Sequence, residues 1–155
     1  MFEFEAISKS NLNQYKEYEK AYETDLKEYQ SRIYPSETAE KLCWYHIKCD
    51  NKHIGAVWLE KETENDFAVL GVFIADKAYR NKGIGTKAIQ QILKNDLPVL
   101  GTDKVILRVR ESNKRAIACY NKIGFSETKK YIKNNISVIE MVFPHSALSD
   151  YGLSG

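Results

Sequence analysis

The chain has 155 residues, 43% hydrophobic and 28% charged, and a formal net charge of +2. That length suits one domain able to bury a core without metals or disulfides, and no apolar run approaches the roughly 18 residues of a transmembrane helix. The start carries acids, Glu3 and Glu5, where a signal peptide would carry positive charge, so the expected setting is the cytoplasm, away from any membrane.

Taken in chain order, Phe2 to Ile7 alternates as a short strand. Ser10 or Asn11 is placed to cap a helix whose one face is Tyr15, Tyr18, Tyr22, Leu26 and Tyr29. Residues 31–40, with Pro35, read as a loop or a short helix. Leu42 to Cys49 and Ile54 to Leu59 are strands joined by the turn residues Asp50, Asn51 and Lys52. Phe67 to Ala75 is apolar almost throughout, which marks a central strand buried on both faces. A helix is predicted from about Ile84 to Lys94, broken before Pro98 and Gly101, and a further strand from Val105 to Val109. Asn113 to Lys122 reads as a short helix closed by Gly124. Phe125 onward and Ile136 to Phe143 form a terminal hairpin around Asn134 and Asn135. One domain is expected over 1–143, with 144–155 as a loose tail.

Cys43, Cys49 and Cys119 are odd in number and contain no C-x-x-C pair, which fits a reducing compartment. His46, His53 and His145 are scattered, so no metal is expected. Charge is unevenly spread. Residues 1–40 hold nine acids and five bases, and residues 76–133 hold fourteen bases and five acids. A basic half for an anionic cofactor and an acidic half for a cationic acceptor is the functional reading; a biased solvated surface is the bland one. No dense basic run points to nucleic acid.

The strand, glycine turn and helix at 67–94 make an anion site on physical grounds. A helix N-terminus offers unpaired N–H groups and partial positive charge, and Gly83 and Gly85 let an anion come close. Arg80, Lys82 and Lys87 add full charges. The spacing is not that of a P-loop. Gly83 to Ala88 matches the dinucleotide fingerprint G-x-G-x-x-A, yet seven residues separate the strand from the first glycine, which weakens a nicotinamide reading.

Two spaced motifs then carry a resemblance. Arg80-x-x-Gly83-x-Gly85 resembles the R/Q-x-x-G-x-G/A turn of the GCN5-related N-acetyltransferases (GNAT). Asn113 to Phe125 resembles that family's N-x-x-A-x-x-x-Y-x-K-x-G-F block. The resemblance implies an α/β fold: a mixed, largely antiparallel sheet of six or seven strands, two central strands splayed, helices on both faces. It implies acetyl-CoA as co-substrate and an amine acceptor entering from the opposite side, with a homodimer left open. Phe73, Ile74 and Ala75 would offer backbone groups to the pantetheine arm. Arg80, Asn81, Lys82, Gly83, Ile84, Gly85 and Thr86 would wrap the pyrophosphate, and Asn113 would bond the arm from the far side. Tyr120 would protonate the leaving thiolate; the bland alternative is a core tyrosine. Asp66, Glu60 and Glu111 stand as bases beside a water relay. Cys119 reads as a small buried residue rather than a nucleophile. The rival functions are a non-catalytic acyl-CoA-binding module and a nicotinamide-binding domain.

Overall fold

The computed structural model describes residues 2–23 and 32–144. The expected helix positions Leu26 and Tyr29, and the tail beyond Pro144, lie outside the described residues.

Seven strands form one sheet in the order β1-β2-β3-β4-β5-β7-β6. They are β1 (Phe2–Ala6), β2 (Lys41–Cys49), β3 (Lys52–Lys61), β4 (Ala68–Ile74), β5 (Val105–Arg110), β6 (Ser126–Lys133) and β7 (Ile136–Phe143). Every neighbouring pair is antiparallel except β4 with β5. A doubly wound parallel sheet, which a dinucleotide-binding unit needs, is therefore absent from the described residues. The two hairpin turns fall where the sequence puts them. Asp50, Asn51, Asn134 and Asn135 all take left-handed backbone, with φ of 55°, 62°, 53° and 65°. Asn and Asp tolerate that region, and paired left-handed residues match the twist of the flanking strands.

Helices α1 (Tyr15–Ala21), α2 (Ile84–Asp96) and α3 (Lys114–Ile123) cover the sheet on both faces. Ala88, Ile89 and Ile92 of α2 are buried against Val57 and Leu59 of β3, Leu70 of β4 and Leu107 of β5. On the other face Tyr15 and Tyr18 of α1 are buried with Ile33 and Ala56, and Phe73 packs against them. Tyr15 and Tyr18 thus serve packing here. Neither Ser10 nor Asn11 caps that helix. A 3₁₀ turn, Leu12–Gln14, precedes it, and the Asn11 side chain instead accepts from Ser8 N–H at 2.9 Å and donates to Ala6 O at 2.9 Å.

β4 and β5 pair only through Ala68↔Val105 and Val69↔Ile106. Beyond those two positions the strands part, and the gap between them opens a cleft.

Candidate active site

The cleft is about 870 Å³, and its walls are β4, β5, the turn before α2, and α3. That volume suits a sizeable ligand.

Its first wall is the glycine turn. Gly83 stands at the start of α2 with φ 80°, and Asn81 two residues earlier has φ 63°. A Cβ on Gly83 or Gly85 would meet no atom within 4 Å. Gly85 does not need positive φ, so the fold alone has no use for a glycine there. The open space lies over the N–H groups of Ile84, Gly85 and Thr86, which have no intrahelical partner; the first intrahelical bond is Lys87 N–H to Gly83 O, at 3.1 Å. Arg80, Asn81, Gly83, Ile84, Gly85 and Thr86 all line the cleft, while Lys82 does not.

Arg80 is more than a surface charge. Its Nε donates to Ile74 O at 2.7 Å, and Nη2 donates to the Tyr22 hydroxyl at 3.3 Å and to Ala75 O at 3.5 Å. The guanidinium also lies 5.5 Å from the Tyr22 ring centre. It ties the turn to the end of β4 and to α1, leaving the Nη1 donors for a ligand.

The register of β4 corrects one expectation. Ala75 N–H donates to Ile54 O at 2.7 Å, so Ala75 faces β3. By the alternation of an antiparallel pair, Phe73 and Gly71 face β3 as well, consistent with the Ala56↔Phe73 register. The backbone groups that face the gap are those of Leu70, Val72 and Ile74. Ala75 neither lines the cleft nor has a free N–H; Phe73 and Ile74 do line it. The Ile74 carbonyl already accepts from Tyr22 and Arg80.

The second wall is α3. Asn113 caps it, its Oδ1 accepting from Ala116 N–H at 3.3 Å, which leaves the amide NH₂ as a donor at the cleft. Tyr120 lines the cleft, and its hydroxyl has no hydrogen-bond partner among the described residues. Burial, and to a lesser degree Cys119 and Tyr22, pushes its pKa up to about 12. Cys119 is half-buried and lines the cleft beside Tyr120, so it is not the buried packing residue expected.

None of the three carboxylates considered as bases lines the cleft. Glu60 is 4% exposed and saturated. It accepts from Arg32 Nη1 at 3.0 Å, Ser36 N–H at 3.0 Å and Trp58 Nε1 at 2.8 Å. Glu111 accepts from Lys130 Nζ at 2.6 Å and the Ser137 hydroxyl at 2.8 Å; Lys130 first, then Ser137, hold its pKa below the ordinary carboxylate value. Asp66 is exposed at the far end of β4. Trp58 and Arg32, which sequence reasoning passed over, form part of the cleft wall. A signal was available: a tryptophan two residues before a glutamate on a strand puts both on one face.

The histidines are less scattered than their spacing suggests. Ligating atoms of Glu5, His46 and His53 lie within 4.8 Å of one another. Both ring nitrogens of His46 are taken, Nδ1 with the Tyr18 hydroxyl and Nε2 with Asn11 O, each at 2.9 Å, and none of the three residues lines the cleft.

Comparison with known proteins shows the family. The profile of the acetyltransferase (GNAT) family matches residues 5–125, and the chain belongs to that family. An N-alpha-acetyltransferase of Sulfurisphaera tokodaii is 45% identical over 51 residues, 33% of this chain and 30% of its own length. A probable spermine N(1)-acetyltransferase of Bacillus subtilis subsp. natto is 30% identical over 76 residues, 49% of this chain and 42% of its own. The chain spans half or less of the length of the curated relatives it matches. The fold is that of a spermidine N-acetyltransferase from Vibrio cholerae solved with CoA and spermine. That structure has a TM-score of 0.72 at 17% identity, covering 94% of this chain and 96% of that one. An aminoglycoside acetyltransferase solved with coenzyme A and kanamycin gives 0.71 at 19% identity, with 97% and 98% covered.

Proposed function

We propose that this protein moves an acetyl group from acetyl-CoA to a primary amine by direct attack in a ternary complex. The observation that carries the reading is one continuous cleft joining the open N-terminus of α2 to the hydroxyl of Tyr120. The pyrophosphate would sit on the N–H groups of Ile84, Gly85 and Thr86, where dipole and donors favour an anion. The pantetheine amides would pair with the gap-facing backbone of β4 and with Asn113.

In the reaction the neutral amine nitrogen attacks the thioester carbonyl and the C–S bond breaks. The oxyanion is met by an N–H of β4 that faces the gap. The departing thiolate, with a pKa of about 8.5 by analogy with cysteine, takes its proton from Tyr120, which water restores. The ammonium of the acceptor loses its proton to water, since no carboxylate among the described residues lines the cleft. The acceptor's amine arrives as an ammonium, and the excess of acids over residues 1–40 would favour the approach of that group. An odd number of cysteines with no C-x-x-C pair suits a reducing, cytoplasmic setting. No helix among the described residues is long and apolar enough to cross a membrane.

A binding module without chemistry would have no use for a phenol left unpartnered in the cleft wall. Calorimetry with acetyl-CoA, paired with thiol release over an amine panel, tests the reading. Binding with turnover is expected. Binding without turnover on any amine would leave a module, and tight NADH binding without CoA binding would overturn the reading outright.

A further inference from the structure

The wall of the cleft opposite α2 carries a charge pattern that the acetyl donor does not account for. Strand register fixes which residues share that wall. Val69 pairs with Ile106, so Arg108 and Arg110 of β5 lie on the same sheet face as Gly71 of β4 and Trp58 of β3. Arg110 pairs with Val138 of β7, which pairs with Tyr131 of β6, and Ile136 pairs with Lys133, so Lys133 shares the face. Arg32 comes to this face from the segment above it, held by Glu60. Four of these residues, Arg32, Arg108, Arg110 and Lys133, line the cleft. Among the described residues no carboxylate does.

The carboxylates that neutralise Arg32 and Arg108 sit behind. Glu60 has 5% of its side chain exposed against 45% for Arg32, and Glu140 has 14% against 46% for Arg108. In each pair the acid is buried under the base, and the guanidinium faces open space. The contacts of Arg32 with Glu60 use Nη1 and one Nη2 hydrogen, so donors remain. Lys133 is exposed and makes no ion pair among the described residues. These cations are not needed for the donor's phosphates. Under the proposed acetyl transfer those sit at the turn before α2, where Arg80 lines the same cleft.

We propose that this wall is a carboxylate subsite, and that the acceptor is an amine bearing a carboxylate, positioned by Arg32, Arg108 and Lys133. The chemistry fits either a free amino acid or a peptide end with an acidic side chain. Guanidinium forks match the two coplanar oxygens of a carboxylate. Such an acceptor satisfies both halves of the site. Its ammonium gives up a proton and the neutral amine attacks beside Tyr120, while its carboxylate rests on Lys133 and on arginines whose own partners are already buried. A polyamine would instead bring further positive charge against Arg32, Arg108 and Lys133.

This inference rests on the proposed acetyl transfer, and its test separates the two. Thiol release is measured with the full chain and acetyl-CoA on pairs of matched amine pKa. One pair is an ω-amino acid and its carboxamide; another is a peptide with glutamate at its second position and its glutamine counterpart; spermine is the third arm. The carboxylate member of at least one pair should have a kcat/KM about tenfold higher, mostly in KM, the effect of one charge-assisted hydrogen bond. The advantage should shrink with salt. Lys133→Gln and Arg108→Gln should each lower the ratio of carboxylate to neutral rates. Arg32 is left intact, because removing it would strand Glu60 as a buried charge. A preference in the first pair points to free amino acids, and in the second to peptides. Equal rates within both pairs, or spermine as the best acceptor, overturn the subsite and leave acetyl transfer standing. No release from any amine, with no binding of acetyl-CoA, overturns both.

Discussion

The Tyr120 hydroxyl makes no hydrogen bond to any described residue, and burial holds its pKa at about 12. A phenol in that condition stays protonated across the working range and can give its proton only to a base formed in the cleft. Tyr120→Phe should therefore keep acetyl-CoA affinity and lower kcat by about 100-fold, the low end for a general acid, since a thiolate is a tolerable leaving group. The sign of the pH dependence follows. Activity rises as the acceptor amine loses its proton, and Tyr120 adds no falling limb until pH nears 12; steady-state profiles of both proteins check this. Gly85 gives the complementary test. A Cβ there meets nothing in the protein, and alanine outranks glycine in a helix. Gly85→Ala should raise stability by about 0.5–1 kcal/mol while weakening acetyl-CoA binding, because the methyl group occupies the approach to the backbone. A thermal melt and a calorimetric titration on the same sample read both effects; unchanged affinity would move the phosphate elsewhere.

At the scale of elements, the sequence was most legible where the residues themselves set the backbone. The paired Asn and Asp turns, the glycine turn before α2 and the Gly124 stop of α3 were all found, because each requires a particular residue at a particular φ. The register of β4 was not legible. Its sequence is apolar on both faces, so no alternation says which residues face β3 and which face the gap, and a shift of one residue reverses the answer. Long-range contacts settle it, above all Ala75 N–H on Ile54 O. The consequence is measurable by hydrogen exchange. The amides of Val72 and Ile74 should exchange quickly in the free protein and slowly with CoA. Those of Phe73 and Ala75, bonded to β3, should be slow in both. The reverse pattern would turn the Phe73 and Ala75 backbone to the gap instead.

Across the whole molecule, the basic half and the glycine turn were visible in the chain, but the carboxylates of the site were not. Glu60 read as a free acid because Arg32 and Ser36, which hold it together with the neighbouring Trp58, lie 28 and 24 residues away. Charge counted along the chain describes surfaces, whereas the cleft wall draws its residues from β3 to β7 and from the segment at Arg32.

The parting of β4 from β5 has a further meaning for the life of the protein. The sheet is two contiguous halves, β1–β4 and β5–β7, stitched by two residue pairs and by the helices packed across them. A ligand lying in the seam would act as the missing length of strand, completing the sheet from outside the chain. Ligand bound to the folded state alone contributes about 2.7 kcal/mol at a hundredfold excess over its Kd, a large share of the margin a domain of this size has. The abundance of the folded protein would then follow the cell's supply of acetyl-CoA, with copies left empty when acetyl groups are scarce being the first to unfold and be degraded.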